Sequence, residues 1–253
     1  MRRVPRSMLT AVLAVAGSIT LAAQAQTAQP PAAPAATVDE IVAKNLKAKG
    51  GAEKWKSIQT MKMSGKVTAQ GLELPMTVMA KRPNLMRQEM TLQDKKIIQS
   101  FDGTTVWMIN PMMGSDTPQE MTGPQAEMAK SQADFDGDLV DYKSKGTAVD
   151  LVGQETIDGT KVYHLKVTRK NGTTRELFLD VDSGIDLRTI STIEREGQQA
   201  TITSDLSNYQ SVEGIMVPFS VKQSLNGTPI AQMTIDKVEF NVPIENSLFK
   251  LKQ

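Results

Sequence analysis

Few side chains in this sequence could make or break bonds. Among 253 residues there is one histidine and no cysteine. His164 falls in VYHLKV, with Val162 and Lys166 on its own side and Tyr163, Leu165 and Val167 on the other. That alternation suits a strand whose outer face is polar. Without thiols and with a single imidazole, a zinc site would rest almost wholly on carboxylates, which zinc rarely accepts. The run DFDGDLVDY gathers Asp134, Asp136, Asp138 and Asp141 and resembles the start of a calcium loop. Its glycine comes early, however, and the twelfth position is Lys145 where a bidentate glutamate is needed. An acidic loop beside a helix is the better reading. Nucleophile-elbow, phosphate-loop and dinucleotide fingerprints are missing, and nothing singles out a carboxylate pair for glycoside chemistry. The expectation is no catalytic residue, no metal and no cofactor, with an enzyme as the last-ranked class.

Two other features carry more information. In AKRPNLMRQEMT, Lys81 and Arg82 stand beside a Pro83-Asn84 turn, ahead of a strand with methionines at alternate positions. Methionine itself is unevenly used: of 15, eleven lie between Met61 and Met128, while aromatic residues make up only 4% of the chain. An unbranched, polarizable side chain suits the wall of a cavity that admits flexible chains. It equally suits a core that uses methionine as a gap-filler. The sequence leaves both open.

The elements that position these residues begin after an export leader. MRRVPRSMLTAVLAVAGSITLAAQA has three arginines, an uncharged run from Met8 and small residues at its end. This is a secretory signal peptide (1–25), cut after about Ala25; Gly17, Ser18 and Thr20 interrupt the run, which is short for a membrane span. The 29 basic residues less the three leader arginines leave 26 against 28 acidic ones. That balance gives no basic footprint for nucleic acid. With no cysteine to form disulfides or accept a lipid, the expected product is a soluble periplasmic monomer held by its core alone. Residues 26–36 are Pro/Ala-rich and read as an extended spacer.

The fold proper runs from 37 to 253. Thr37-Val38-Asp39-Glu40 has the form of a capping box, and Val38, Ile41, Val42 and Leu46 line one side of the helix it opens. From Thr60 the period changes to two. Five short strands joined by tight turns reach Asn110, each pattern having one apolar and one polar face. The segment of about 112–146 loses the alternation and reads as a helical insertion, with helices near 118–131 and 135–143. Strands resume at Ala148 and continue to the C-terminus, punctuated by Asp158-Gly159, Asn171-Gly172, Ser183-Gly184, Glu196-Gly197, Glu213-Gly214 and Asn226-Gly227. The glycosylation sequons at Asn171 and Asn226 coincide with two of these turns, and hairpin turn is the stronger reading. About 11–12 consecutive antiparallel strands must curl into a barrel or a strongly bent sheet.

At AKRPNLMRQEMTLQDKKIIQSFDGTTVWMINP the chain resembles the LolA family of periplasmic outer-membrane lipoprotein carriers. The shared pieces are KRPNL, a strand pair, DGTTVW and NP, in that order. The helix VDEIVAKNLKAKGGAEKWKSI departs from LolA itself and resembles a broader group of LolA-like exported proteins. The resemblance implies an incomplete, curved antiparallel β-barrel whose open side is closed by short helices, with acyl chains bound between. It implies cavity lining by Met61, Met63, Met76, Met86, Met90, Leu92, Trp107 and Ile109, while Arg87, Glu89 and Thr91 face water. It also gives Arg82 a role, holding backbone carbonyls of the lid helices until cargo arrives. A guanidinium has five donors in a rigid fork and no acceptor, which suits the unpaired carbonyls at a helix C-terminus. The plainer alternative is a surface arginine at a turn. Met86 stands where the best-known members carry an aromatic residue. The implied function is a carrier of acylated lipoproteins, with lipoprotein or lipid cargo, an inner-membrane release complex and an outer-membrane receptor as partners. The alternatives are a binder of a free lipid and an envelope interaction module.

Overall fold

A computed structural model describes residues 36–195 and 198–251. The expected signal peptide, nearly all of the expected spacer and the expected turn at Glu196-Gly197 lie outside the described residues.

Thr37 opens helix α1 (Val38–Ala48) with both bonds of a capping box: its hydroxyl accepts from the Glu40 amide at 3.3 Å, and the Glu40 carboxylate accepts from the Thr37 amide at 2.8 Å. Helix α1 ends at two glycines. A Cβ on Gly50, where φ is 111°, would sit 2.4 Å from the Gly214 carbonyl, so no side chain fits. A short helix, α2 (Ala52–Ser57), follows at once.

The rest is mostly strand. β1 (Thr60–Ala69), β2 (Leu72–Lys81), β3 (Leu85–Leu92), β4 (Lys95–Phe101), β5 (Val106–Asn110) and β6 (Ser115–Glu120) form a first meander. Helix α3 (Gly123–Gln132) and a run of turns interrupt it. A second meander comprises β7 (Ala148–Ile157), β8 (Thr160–Thr168), β9 (Thr174–Asp180), β10 (Asp186–Arg195), β11 (Gln198–Val212), β12 (Ile215–Leu225) and β13 (Thr228–Phe240). The two meanders join where β1 pairs antiparallel with β13, Met61 opposite Phe240. One sheet of 13 strands results, in the order β6-β5-β4-β3-β2-β1-β13-β12-β11-β10-β9-β8-β7. It is curved and not closed. A bulge beside Ser64 brings β13 against Gly65, where a Cβ would stand 2.1 Å from the Thr234 carbonyl.

Three apolar clusters fix what lies on the concave face. Ile41 and Val42 of α1 pack on Leu165, Val167, Leu177 and Leu179 of β8 and β9. Ile58, just past α2, and Phe135 of the turn run pack on β12, β13 and Ala80. Ala126, Ala129 and Ala133, in and just after α3, cover Met86, Phe101 and Val106.

The mainly β fold with a helical cover agrees with the sequence, but three details differ. Residues 115–120, placed in the helical insertion with 118–120 in its first helix, form β6. Its Pro118 has no amide to donate, which an edge strand tolerates. The helix expected near 135–143 is a series of turns. Asp134 there accepts from the Asp136 amide at 3.1 Å, a local bond that competes with helix, and Gly137 takes a φ of 65°. Lastly, the convex face of β3–β5 is covered. The segment after β13 crosses it as a strap and buries Phe249 completely. The Phe249 carbonyl accepts from Ser100 Oγ at 3.0 Å and Trp107 Nε1 at 2.7 Å, and the Leu248 carbonyl from Arg87 Nη1 at 2.8 Å.

Candidate functional site

The turn between β2 and β3 puts Lys81 and Arg82 side by side with opposite tasks. Lys81 Nζ donates to the strap carbonyl of Ile244 at 2.8 Å. Arg82, across a cis bond to Pro83, turns towards α2 and the turn run. Its Nε donates to the Ile58 carbonyl at 2.7 Å and its Nη2 to the Trp55 carbonyl at 3.2 Å. The same fork meets Asp136 in two bonds, Nη1 to Oδ2 at 2.7 Å and Nη2 to Oδ1 at 2.6 Å. The guanidinium also lies 4.7 Å over the Phe135 ring, which in turn contacts Trp55 at 5.7 Å between centroids. One side chain, 17% exposed, thereby ties β2, the end of α2 and the acidic turns together. Bidentate, charge-assisted bonding of this kind needs the planar fork and is not available to lysine.

The other aspartates of the run are matched in the same way. Asp134 pairs with Lys145 at 3.0 Å, and Asp141 with Lys56 of α2 at 2.7 Å. Asp138, with only 4% of its side chain exposed, meets Arg169 at 2.6 Å and Arg175 at 3.3 Å. Burial alone would raise the Asp138 carboxyl, but the two guanidinium groups outweigh it and hold it below the usual carboxylate range. The Arg82 hydrogen bonds hold Asp136 low against a smaller effect of burial. Among the described residues, no group of three or more His, Cys, Asp or Glu is placed to hold a metal ion. The acidic run acts as a set of anchors from four cationic neighbourhoods onto one segment.

Beneath this segment lies a cavity of about 470 Å³. Its roof comprises Leu46, the α2 residues Ala52 and Trp55, and 134–140. Its floor is the concave face from β9 across to β1, including Leu177, Leu206, Val217, Val221, Met233 and Ile235. A polar knot closes one side. Lys49 Nζ lies 2.9 Å from Asp186 Oδ2, Asn45 Nδ2 donates to the Gly184 carbonyl at 2.8 Å, and the Tyr209 hydroxyl donates to the Asp186 carbonyl at 2.7 Å. Burial drives the Tyr209 phenol far above its usual pKa, so it remains a neutral donor.

Of the residues expected to line the cavity, Met61 and Met63 do so. Met76, Met86, Met90 and Leu92 share their face of the sheet, as the β1–β2–β3 register requires, but lie outside the cavity wall. Met86 packs under α3 instead. The expectation for Trp107 and Ile109 is corrected. Val106 pairs with Phe101 on the α3 side, so its neighbour Trp107, opposite Ser100, points to the convex face, and Ile109 follows it. The strap claims that face. Arg87 and Glu89 do not simply face water either: their side chains are 11% and 17% exposed, bonded to each other at 2.7 Å, with Arg87 5.4 Å over the Trp107 ring.

Sequence reasoning missed Trp55, Phe135 and Asp136 as partners of Arg82, and the floor supplied by β9–β13. An acidic run was visible, but nothing local says which distant cation each carboxylate meets. His164 lies elsewhere, stacked at 4.4 Å on Phe178 with its Nδ1 2.6 Å from Glu155.

A half-open antiparallel sheet with an apolar hollow under short helices is a recognisable class of binding fold. The chain belongs to the family described as outer membrane lipoprotein carrier protein LolA, which matches residues 69–215, more than half of its length. No curated protein matches. Among solved structures, a DUF1329 family protein from Desulfovibrio piger is similar with a TM-score of 0.59 and 13% identity, covering 85% of this chain and 99% of that one. A LolA superfamily protein from Nitrosomonas europaea is similar with a TM-score of 0.56 and 15% identity, covering 85% and 98%. At such identities the likeness is one of fold.

Proposed function

We propose that this protein is a non-enzymatic periplasmic carrier that shields the acyl chains of lipoproteins and delivers them towards the outer membrane. The observation that carries this reading is the apolar cavity of about 470 Å³ roofed by a segment that Arg82 clasps. Burying a methylene stabilises by about 0.8 kcal/mol, so an acyl chain crosses an aqueous space only inside a shelter. In this proposal Arg82 is the latch: cargo entry breaks its bonds to α2 and Asp136, and an outer-membrane receptor or inner-membrane release complex biases the open and closed states. Membership of a carrier family supports the reading.

Native mass spectrometry on protein purified from its own periplasm tests it. Co-purified acylated protein is the expected result. A small lipid in its place would make the protein a free-lipid binder, and failure to take up any acyl probe would overturn the carrier reading.

A further inference from the structure

We infer that the row Thr189, Ser204 and Gln223 on the floor of the hollow is a subsite for the carbonyl oxygens through which acyl chains are joined to their head. Resting on the acyl-carrier reading above, this gives a bound chain a direction: its carbonyl end lies on the row and its far end below Trp55. Register makes the row. Thr189 of β10 stands opposite Ser204 of β11, which stands opposite Gln223 of β12. All three border the hollow. The neighbouring row on the same face, Leu206, Val221 and Met233, is paired in the same way and is apolar. Trp55 packs against the cluster that contains Val217. From Val217 to Gln223 β12 runs about 20 Å, so the indole and the polar row stand well apart on one floor.

The polar end holds spare donors. Gln223 Nε2 donates to Ser204 Oγ at 3.3 Å. That bond uses neither the serine proton nor the second amide proton of Gln223. Arg175 borders the same end, on β9 beside Leu177, the residue opposite Thr189. Its Nε is buried without a hydrogen-bond partner among the described residues. An ester or amide carbonyl supplies the acceptor that these groups lack. A hydrocarbon tail laid over them would strip their water and give nothing back. Asp138, which Arg175 meets, also borders a cleft of about 300 Å³ whose other walls include Lys145, Arg169 and Lys170; a polar head has room there. Thr189, Ser204, Gln223 and Arg175 all stand on strands, so lifting the roof leaves the subsite in place.

The test is paired binding, to the mature, delipidated protein, of palmitoyl lysophosphatidylcholine and its ether counterpart, hexadecyl lysophosphatidylcholine, which differ only at the carbonyl. The wild type is expected to bind the ester about threefold to tenfold tighter, and the double variant Ser204→Ala, Gln223→Leu to lose that difference. In the wild type, a doxyl group at the far end of a palmitoyl chain is expected to quench Trp55 emission more than one beside the carbonyl, with Trp55→Phe supplying the Trp107 background. Equal ester and ether affinities in the wild type, a difference that survives in the double variant, or the reverse order of quenching overturns the subsite while leaving an acyl carrier. The reverse order would put the carbonyl beneath Trp55, whose Nε1 is likewise buried without a partner among the described residues. Binding of neither ligand overturns the carrier reading and this inference with it.

Discussion

Arg82 concentrates four hydrogen bonds on acceptors from two segments that have no covalent reason to stay together. Each charge-assisted bond is worth about 1.5–3 kcal/mol, less where water competes. Arg82→Leu is therefore expected to shift the closed–open balance of the roof by about 1–3 kcal/mol while the sheet stays folded. Hydrogen exchange at residues 52–58 and 134–141, together with the rate of acyl-probe release, would report it. Arg82→Lys should fall between, because one ammonium cannot serve Ile58, Trp55 and both oxygens of Asp136. Unchanged exchange and release in Arg82→Leu would mean that the arginine does not hold the roof closed. That this residue would reach backbone carbonyls of a helix end was legible from its motif and from guanidinium chemistry. Its carboxylate partner was not, because a pairing between positions 82 and 136 leaves no mark in local spacing.

At the scale of elements, the strap and the acidic turns carry most of what local patterning could not express. Helix α1 was readable because a capping box and a 3.6-residue stripe are short-range signals, and most hairpins because Gly-containing turns stand between alternating runs. The strap has no period at all; it is fixed by carbonyls that receive protons from side chains on the sheet beneath. This also explains why Trp107 was assigned to the wrong face, since an aromatic residue in a strand predicts burial but not which cover provides it. Phe249 anchors the strap with its whole side chain out of water. Phe249→Ala is expected to cost about 3–5 kcal/mol in urea unfolding, with a red shift in tryptophan emission as Trp107 meets solvent. A cost within about 0.5 kcal/mol, the range of an ordinary surface change, would mean that the strap contributes nothing to the fold.

Across the whole molecule, stability should depend on acidity in one direction. Asp136 and Asp138 titrate lower when folded than a free aspartate does. A lowered folded pKa contributes stability that is present above the unfolded value and is lost as pH falls through the folded one. Urea midpoints are expected to stay level from about pH 7 to 5 and to drop below about pH 4. Asp138→Asn should flatten that drop while lowering stability at neutral pH, because Arg169 and Arg175 lose their counter-charge. The opposite slope would show that these pairs do not govern the acid limb.

The seam of β1 with β13 also bears on how the molecule comes into being. Met61 meets Phe240, so nearly the entire polypeptide must emerge before the first meander gains its neighbour. Ring closure over such a span is slow because its entropic penalty precedes any contact that rewards it. Newly made fragments thus lack the joined sheet, and under the proposed function uptake of an acyl chain begins only once β13 has been made.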